Sequence, residues 1–149
     1  VEHLFQTYAK RATPRSYRAG ATAGILGAAG ALVRQQRGTQ ARASRQPTKP
    51  LTLWSFESSP YSRLVRERLT ELELPYTLHN LGKEQFADMG PAAMRVRPGP
   101  YRPKAGGKRE RMLAQLGRVQ VPYLEDPNSG VKMFESEAII DYLERSYAL

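Results

Sequence analysis

The sequence predicts a mixed α/β domain over residues 51–149, with a four-stranded sheet and flanking helices, and an extended basic arm before it. Apolar runs at strand spacing alternate with apolar runs at helical spacing, which is typical of such a domain. Two predicted strands are separated only by a short turn, which indicates a hairpin and therefore a mixed sheet. Residues 10–49 contain nine basic side chains and no acidic one, and this imbalance predicts the arm.

The first part of the domain predicts a strand, a helix and a second strand. The apolar and aromatic run at 51–56 is typical of a strand. Ser58 or Ser59 can cap a helix that has Pro60 in its first turn, where the missing amide hydrogen of a proline costs nothing. Residues 75–81 form the next strand. Because a helix connects the two strands, we expect them to be parallel.

A long insertion at 82–107 separates this part from the rest of the domain. It is rich in proline, glycine and basic residues, so we expect no regular structure in it. The elements that follow are a short helix at 108–116 ending at Gly117, strands at 119–126 and 131–134 with a turn between them, and a closing amphipathic helix at 135–147.

The chain contains no cysteine and only two histidines, which are far apart. Disulfides, thiol catalysis and cysteine-ligated metals are therefore excluded for this sequence, and no metal site is expected. Four acidic residues are expected to be solvated surface groups rather than metal ligands: Glu84, Asp88, Glu125 and Asp126.

The arm over residues 10–50 is the main source of the net charge of +9. It contains an uncharged, Gly/Ala-rich segment at 19–33, which is shorter than the roughly 20 residues of a membrane-spanning helix. This segment is either a flexible linker or a surface-lying segment that docks on a protein or membrane face. In the second interpretation, the partner-binding residues are Arg11, Arg15, Arg18, Ile25, Leu26, Leu32, Arg34, Arg37, Arg42 and Arg45.

An internal repeat links the two ends of the sequence. Residues 1–9, VEHLFQTYA, align without a gap with residues 140–148, IDYLERSYA. We interpret 1–9 as a remnant helix of an upstream copy of the same domain.

Three short motifs resemble one known fold when they are taken together. The sequence SPYS at 59–62 lies where glutaredoxins have Cys-Pro-Tyr-Cys, Val-Pro at 121–122 matches a Val-Pro whose proline is cis in that family, and Phe-Glu-Ser at 134–136 matches the start of the last helix. The chain from 51 to 149 thus resembles a thioredoxin-like fold. It is most similar to the glutaredoxin or glutathione S-transferase N-terminal domain, and to the tandem type of plants, algae and cyanobacteria.

The resemblance implies a degenerate glutathione site formed by Ser59, Val121, Pro122, Glu135 and Ser136. By this resemblance, the Val121 backbone would pair with the cysteinyl backbone of glutathione, and Glu135 and Ser136 would bind its γ-glutamyl end. A purely structural interpretation is also open, in which Pro122 shapes the hairpin and Glu135 or Ser136 caps the last helix. Serine at position 59 cannot form a mixed disulfide, so thiol–disulfide exchange is not expected.

We therefore expect a redox-inactive accessory subunit, not an enzyme and without a resident cofactor, that docks through its arm on a larger, membrane-embedded complex. The resemblance implies a thylakoid complex of the photosystem type in the chloroplast, and otherwise a mitochondrial complex. One alternative is a glutathione-binding protein similar to serine-type glutathione transferases. Another is an RNA-binding accessory protein of an organellar ribosome, although an arm with a single aromatic residue, Tyr17, is poorly suited to base stacking.

Overall fold

The computed structural model describes residues 2–8, 10, 30, 37–89 and 100–149. The chain divides into two compact units, Val1–Arg37 and Gly38–Leu149. In the first unit, helix α1 spans Glu2–Tyr8, so the start of the chain is helical as predicted. Arg37 is exposed, whereas the other predicted partner-binding residues up to 34 lie outside the described residues: Arg11, Arg15, Arg18, Ile25, Leu26, Leu32 and Arg34. None of the described helices is long and apolar enough to span a membrane.

The second unit contains the predicted sequence of elements. These are β1 (Leu51–Ser55), α2 (Pro60–Glu71), β2 (Tyr76–Asn80), α3 (Lys108–Leu116), β3 (Tyr123–Asp126), β4 (Val131–Phe134) and α4 (Ser136–Tyr147). The four strands form one sheet in the order β2-β1-β3-β4. β1 and β2 are parallel, and the pairs β1/β3 and β3/β4 are antiparallel. This confirms the four-stranded mixed sheet of a thioredoxin-like fold.

The sheet separates two hydrophobic clusters because successive strand residues point to opposite faces. Leu53 and Leu124 are paired across β1 and β3 and pack with the apolar faces of α2 and α4. The next pair, Trp54 and Tyr123, packs with Met112 of α3 on the other face. The helices therefore cover both faces of the sheet.

Two predicted elements differ in detail from the structure. β3 begins at Tyr123 rather than at 119, since Pro122 immediately before it has no amide hydrogen for the strand ladder. The Val121–Pro122 peptide bond is cis, as the resemblance implied. The insertion contains one turn of 3-10 helix at Phe86–Asp88, where Asp88 accepts hydrogen bonds from the Glu84 and Gln85 amides. Residues 90–99 of the insertion are outside the described residues.

The compact unit begins at Gly38, not at the predicted domain start of Leu51. Residues 38–50, here termed the strap, bind the domain by hydrogen bonds to the carboxyl ends of α2 and α4. Carbonyls at a helix C-terminus lack partners within the helix, so donors from the strap can satisfy them. The bonds are Arg42 N–H to Glu71 O (2.6 Å), Ser44 Oγ to Leu72 O (2.6 Å) and Arg45 N–H to Tyr147 O (2.7 Å).

Two further contacts attach the strap. The Arg42 guanidinium donates to both carboxylate oxygens of Glu144 on α4, at 2.7 and 3.1 Å. At the other end of the strap, the Asn128 side chain accepts from the Lys49 N–H and donates to the Lys49 carbonyl, at 2.8 and 2.9 Å. Arg42 is therefore engaged by the chain's own domain, which differs from its predicted use as a partner-binding residue. Arg45 uses its backbone in the strap, and the residue is exposed.

Candidate functional site

A cleft of about 1340 Å³ lies at one edge of the sheet and is lined by all five residues of the predicted glutathione site. β1 and β2 end at this edge, and β3 begins there because it is antiparallel to β1. β4 runs antiparallel to β3 and ends there too. The loops after β1, β2 and β4 and the loop before β3 therefore meet in one place. The topology thus brings together residues from three separate stretches of the sequence: Ser59, Val121 with Pro122, and Glu135 with Ser136.

Ser59 is half-buried at the N-cap of α2. Its Oγ accepts a hydrogen bond from the Ser62 N–H at 3.2 Å, and this bond leaves the hydroxyl hydrogen of Ser59 available to a ligand. Ser62 is fully buried and its Oγ accepts from the Phe56 N–H at 3.4 Å. Of the two serines that stand where glutaredoxins have cysteine, Ser59 lines the cleft, whereas the buried Ser62 contributes to the fold.

Val121 presents an open stretch of backbone to the cleft. Its N–H and C=O make no hydrogen bond to any of the residues that the structure describes, although the residue is half-buried beside the sheet. An unpaired backbone edge of this kind can add an extended peptide by main-chain hydrogen bonds. The geometry fits the role that the resemblance assigns to this position.

Glu135 stands at the N-cap position of α4 in an unusual backbone conformation. Its φ of 70° lies in the left-handed region, which residues other than glycine rarely adopt. Its carboxylate does not cap the helix. It accepts a hydrogen bond from the side-chain amide of Gln120, a residue that also lines the cleft. The interpretation that the Glu135 side chain caps α4 is therefore wrong. The buried Ser136 follows it in the first turn of the helix.

A second group of cleft residues, supplied by the insertion and α3, is not marked by any motif in the sequence. Asp88 is only 6% exposed, in contrast to its predicted solvation. It accepts from the Tyr101 hydroxyl at 2.6 Å, and Arg109 lies 3.7 Å from it. Burial opposes its ionisation, but the bonds from Tyr101 and from two backbone amides, together with the charge of Arg109, outweigh burial and lower the pKa of Asp88. Only the insertion's basic charge and Pro/Gly content were visible in the sequence.

The pKa of Tyr101, the tyrosine of this group, is also shifted. Burial and the neighbouring Asp88 carboxylate raise the pKa of Tyr101, so its hydroxyl keeps its proton and remains a donor to Asp88. The Arg109 Nε donates to the Gly82 carbonyl at 2.7 Å. Asp88, Tyr101 and Arg109 thus hold the described parts of the insertion against α3 and form one wall of the cleft.

The cleft has a cationic balance. Its lining includes Lys83, Arg109 and Arg118, against the carboxylates of Asp88 and Glu135. The Arg118 guanidinium lies 3.7 Å from the centre of the Phe134 ring, which orients it at the mouth of the cleft. The N-termini of α2 and α4 add partial positive charge. The cleft is therefore suited to an anionic ligand. Within the part of the chain that the structure describes, no cluster of three or more histidine, aspartate or glutamate residues could hold a metal ion.

A three-layer α/β/α domain with a cis-proline before β3 and a cleft at the N-terminus of α2 defines the thioredoxin-like class of protein. Within that class, the family model for the glutathione S-transferase N-terminal domain matches residues 53–149. The chain belongs to this family. No curated protein matches it significantly.

Proposed function

We propose that this chain is a redox-inactive binding protein whose cleft takes glutathione or a closely related γ-glutamyl peptide. The observation that supports this function is the convergence of Ser59, Val121, Pro122, Glu135 and Ser136 around one cleft of cationic balance. Of these groups, the Val121 backbone has no partner among the described residues, and the Ser59 hydroxyl hydrogen is not used in the capping bond.

Each group has a distinct role in the proposed complex. The peptide lies extended along Val121, whose N–H and C=O pair with its cysteinyl backbone. The Glu135 carboxylate accepts from the ammonium group of the γ-glutamyl end, and Ser136 and the first amides of α4 bind the adjacent carboxylate. The Ser59 hydroxyl donates to the sulfur. No covalent step follows, because an alcohol at this position cannot exchange with a disulfide.

A charge-neutralising variant tests the binding mode. Glu135→Gln should weaken glutathione binding by up to about fivefold, since an exposed ion pair contributes up to about 1 kcal/mol. Glu137→Gln is the matched control, because Glu137 is an exposed acid two residues further on, in the first turn of α4, and does not line the cleft. Isothermal titration calorimetry with reduced glutathione measures both. Absence of binding by the unmodified chain would refute the proposed function, and equal affinities of the two variants would refute the role of Glu135.

Activity measurements test the absence of redox chemistry. We expect no reduction of hydroxyethyl disulfide by the unmodified chain in the presence of glutathione, because the sequence has no thiol. The double variant Ser59→Cys, Ser62→Cys should acquire measurable activity, since the N-terminus of α2 lowers the pKa of a thiol at position 59. Ser62→Cys alone is the control, because that position is fully buried and should remain inactive. Turnover by the unmodified chain would contradict the proposal.

A second candidate function is favoured by the charge of the arm, with nine basic and no acidic residues over 10–49. We propose that the arm docks this domain on a larger assembly, of the photosystem type in a thylakoid membrane or otherwise in a mitochondrion. Because Arg42 is paired with Glu144, the docking charges lie elsewhere in the arm. A variant lacking residues 10–37 should lose co-purification with the assembly in native extract and keep its glutathione affinity. Retained co-purification would assign the docking to the domain instead.

Salt dependence separates this candidate from RNA binding. Release of counterions from phosphates makes nucleic-acid binding fall steeply with salt, whereas docking that includes burial of the apolar segment around Ile25 and Leu26 should weaken only partly.

Turnover of an electrophile with glutathione by the unmodified chain would instead favour the serine-type transferase, in which the Ser59 hydroxyl lowers the pKa of the bound thiol.

A further inference from the structure

Strand β2 is an edge of the sheet, with β1 on one side and no strand on the other among the residues that the structure describes. The Leu81 N–H, directly after β2, donates to the Ser55 carbonyl of β1 at 2.7 Å. Backbone groups alternate in direction along a strand, so those of Tyr76, Leu78 and Asn80 point away from β1. Apart from the Asn80 carbonyl, these outward groups have no hydrogen-bond partner within the described ranges.

The β2 edge has none of the features that usually prevent pairing with another chain. Edge strands of soluble proteins typically carry a charge, a proline or a bulge. β4, the opposite edge, carries the exposed Lys132. In contrast, β2 has the uncharged sequence YTLHN, and its five residues pair with β1 without a bulge. Leu78 at its centre is 42% exposed. The edge is therefore open to a further strand.

The outward backbone groups of β2 are complementary to those of a second, antiparallel β2. A two-fold axis beside Leu78 places the two Leu78 residues directly opposite each other, and each Tyr76 opposite Asn80 of the second copy. All of these residues have outward backbone groups, so every facing pair can exchange both N–H···O=C bonds. The Asn80 carbonyl also accepts from the Lys108 ammonium at 3.2 Å, and its second lone pair remains for the Tyr76 N–H.

Side chains and charges favour the same arrangement. Leu78 pairs with Leu53 of β1, so the two facing Leu78 side chains meet on the face that α2 and α4 cover. The exposed Lys83 and Lys108 lie near the carboxyl end of β2, whereas the exposed Glu73 precedes its amino end. Antiparallel pairing brings the cationic end of each copy beside the acidic end of the other.

We propose that the β2 edge is a self-association surface, through which two copies of this chain join their four-stranded sheets into one continuous sheet. The partner is a second copy because the edge is complementary to itself in backbone hydrogen bonds, apolar contact and charge. The interface is isologous, so it closes as a dimer and leaves no β2 edge free for a third copy. This association goes beyond the proposed function, since no ligand of the cleft takes part in it.

Sedimentation velocity of the full chain tests the association. An interface of one strand pair is small, so the fraction of dimer should rise between about 10 μM and 1 mM protein. Leu78→Lys places two like charges directly opposite and should raise the dissociation constant about tenfold. Leu149→Lys is the matched control, because it makes the same change at an exposed leucine outside β2. A monomer at every concentration, or equal dissociation constants of the two variants, would overturn the proposal.

Amide hydrogen exchange, followed by nuclear magnetic resonance, tests the pairing itself without a substitution. The amides of Thr77 and His79 point towards β1 and should exchange slowly at all concentrations. Those of Tyr76, Leu78 and Asn80 should exchange slowly only where the dimer is populated. A dimer without this added protection would place the interface elsewhere. Protection of the three outward amides in the monomer would mean that another segment of the same chain covers the edge. Either result would overturn the proposal.

Discussion

Asp126→Ala is expected to lower the free energy of unfolding by about 3 kcal/mol or more, because three side chains donate to this one carboxylate and each hydrogen bond to a charged group contributes about 1.5–3 kcal/mol. Asp126 is 1% exposed, although it is predicted from the sequence to be a solvated surface group. Oδ2 accepts from the hydroxyls of Tyr142 and Tyr147, and Oδ1 accepts from the backbone and side-chain amides of Asn128. Removal of the carboxylate leaves the buried Tyr147 hydroxyl without this acceptor.

Urea unfolding measures the effect, with Asp141→Ala as the control. Asp141 is an exposed acid of α4, so its removal should change the free energy of unfolding by no more than about 0.5 kcal/mol. Comparable losses for the two variants would mean that the buried network does not stabilise the domain.

The pH dependence gives an independent readout of the same network. Burial raises the pKa of Asp126, but the bonds from Tyr142, Tyr147 and Asn128 outweigh burial and lower it to about 2. A depressed folded-state pKa contributes stability above the unfolded value near 4 and loses it as the pH falls towards 2. The advantage of the unmodified chain over Asp126→Asn should therefore shrink by about 2 kcal/mol between pH 5 and pH 2. An advantage independent of pH would contradict the ionised network.

At alkaline pH the free energy of unfolding changes in the opposite direction, because the pKa involved is raised rather than lowered. Burial and the Asp126 carboxylate raise the pKa of Tyr147, so this group contributes stability that is fully present below its unfolded pKa near 10. That stability is lost as the pH rises through the folded-state value. We expect Tyr147→Phe to reduce the loss of unfolding free energy at alkaline pH. The same variant also loses one hydrogen-bond donor to Asp126.

Removal of residues 1–50 is expected to destabilise the domain by about 2–4 kcal/mol relative to removal of residues 1–37. The longer deletion takes away the strap, whose backbone and side chains donate to the carboxyl ends of α2 and α4 and bind Asn128. Each such hydrogen bond contributes about 0.5–1.5 kcal/mol, and the entropy of ordering the strap offsets part of the sum.

The shorter deletion serves as the control, since all contacts named for the strap lie within residues 38–149. Arg42→Met, which removes only the pair with Glu144, should lower the free energy of unfolding by no more than about 1 kcal/mol. Urea unfolding of the two truncated forms distinguishes the cases. Equal stability would mean that the strap is bound to the domain without stabilising it.

The resemblance rested on short motifs, and these also located one part of the cleft. SPYS, Val-Pro and Glu-Ser each mark a loop at one edge of the sheet, so Ser59, Val121 and Glu135 could be named before their proximity was known. Tyr101, Asp88 and Arg109 could not, because their pairing depends on how the insertion folds back on α3. No spacing in the sequence encodes that contact.

The sequence by itself determined the order and type of the secondary-structure elements. Capping at Ser59, Pro60 in the first helical turn and the turn before β4 act among neighbouring residues, so local patterns were sufficient to predict them. Only the tertiary structure determined which charged residues are buried and which partners they bind. Arg42 meets Glu144 at a separation of 102 residues, and Asp126 meets Tyr142 and Tyr147 across 16 and 21. Burial and pairing of a charge depend on partners that the fold supplies from a distance, which is why an acid predicted at the surface is instead buried in the domain.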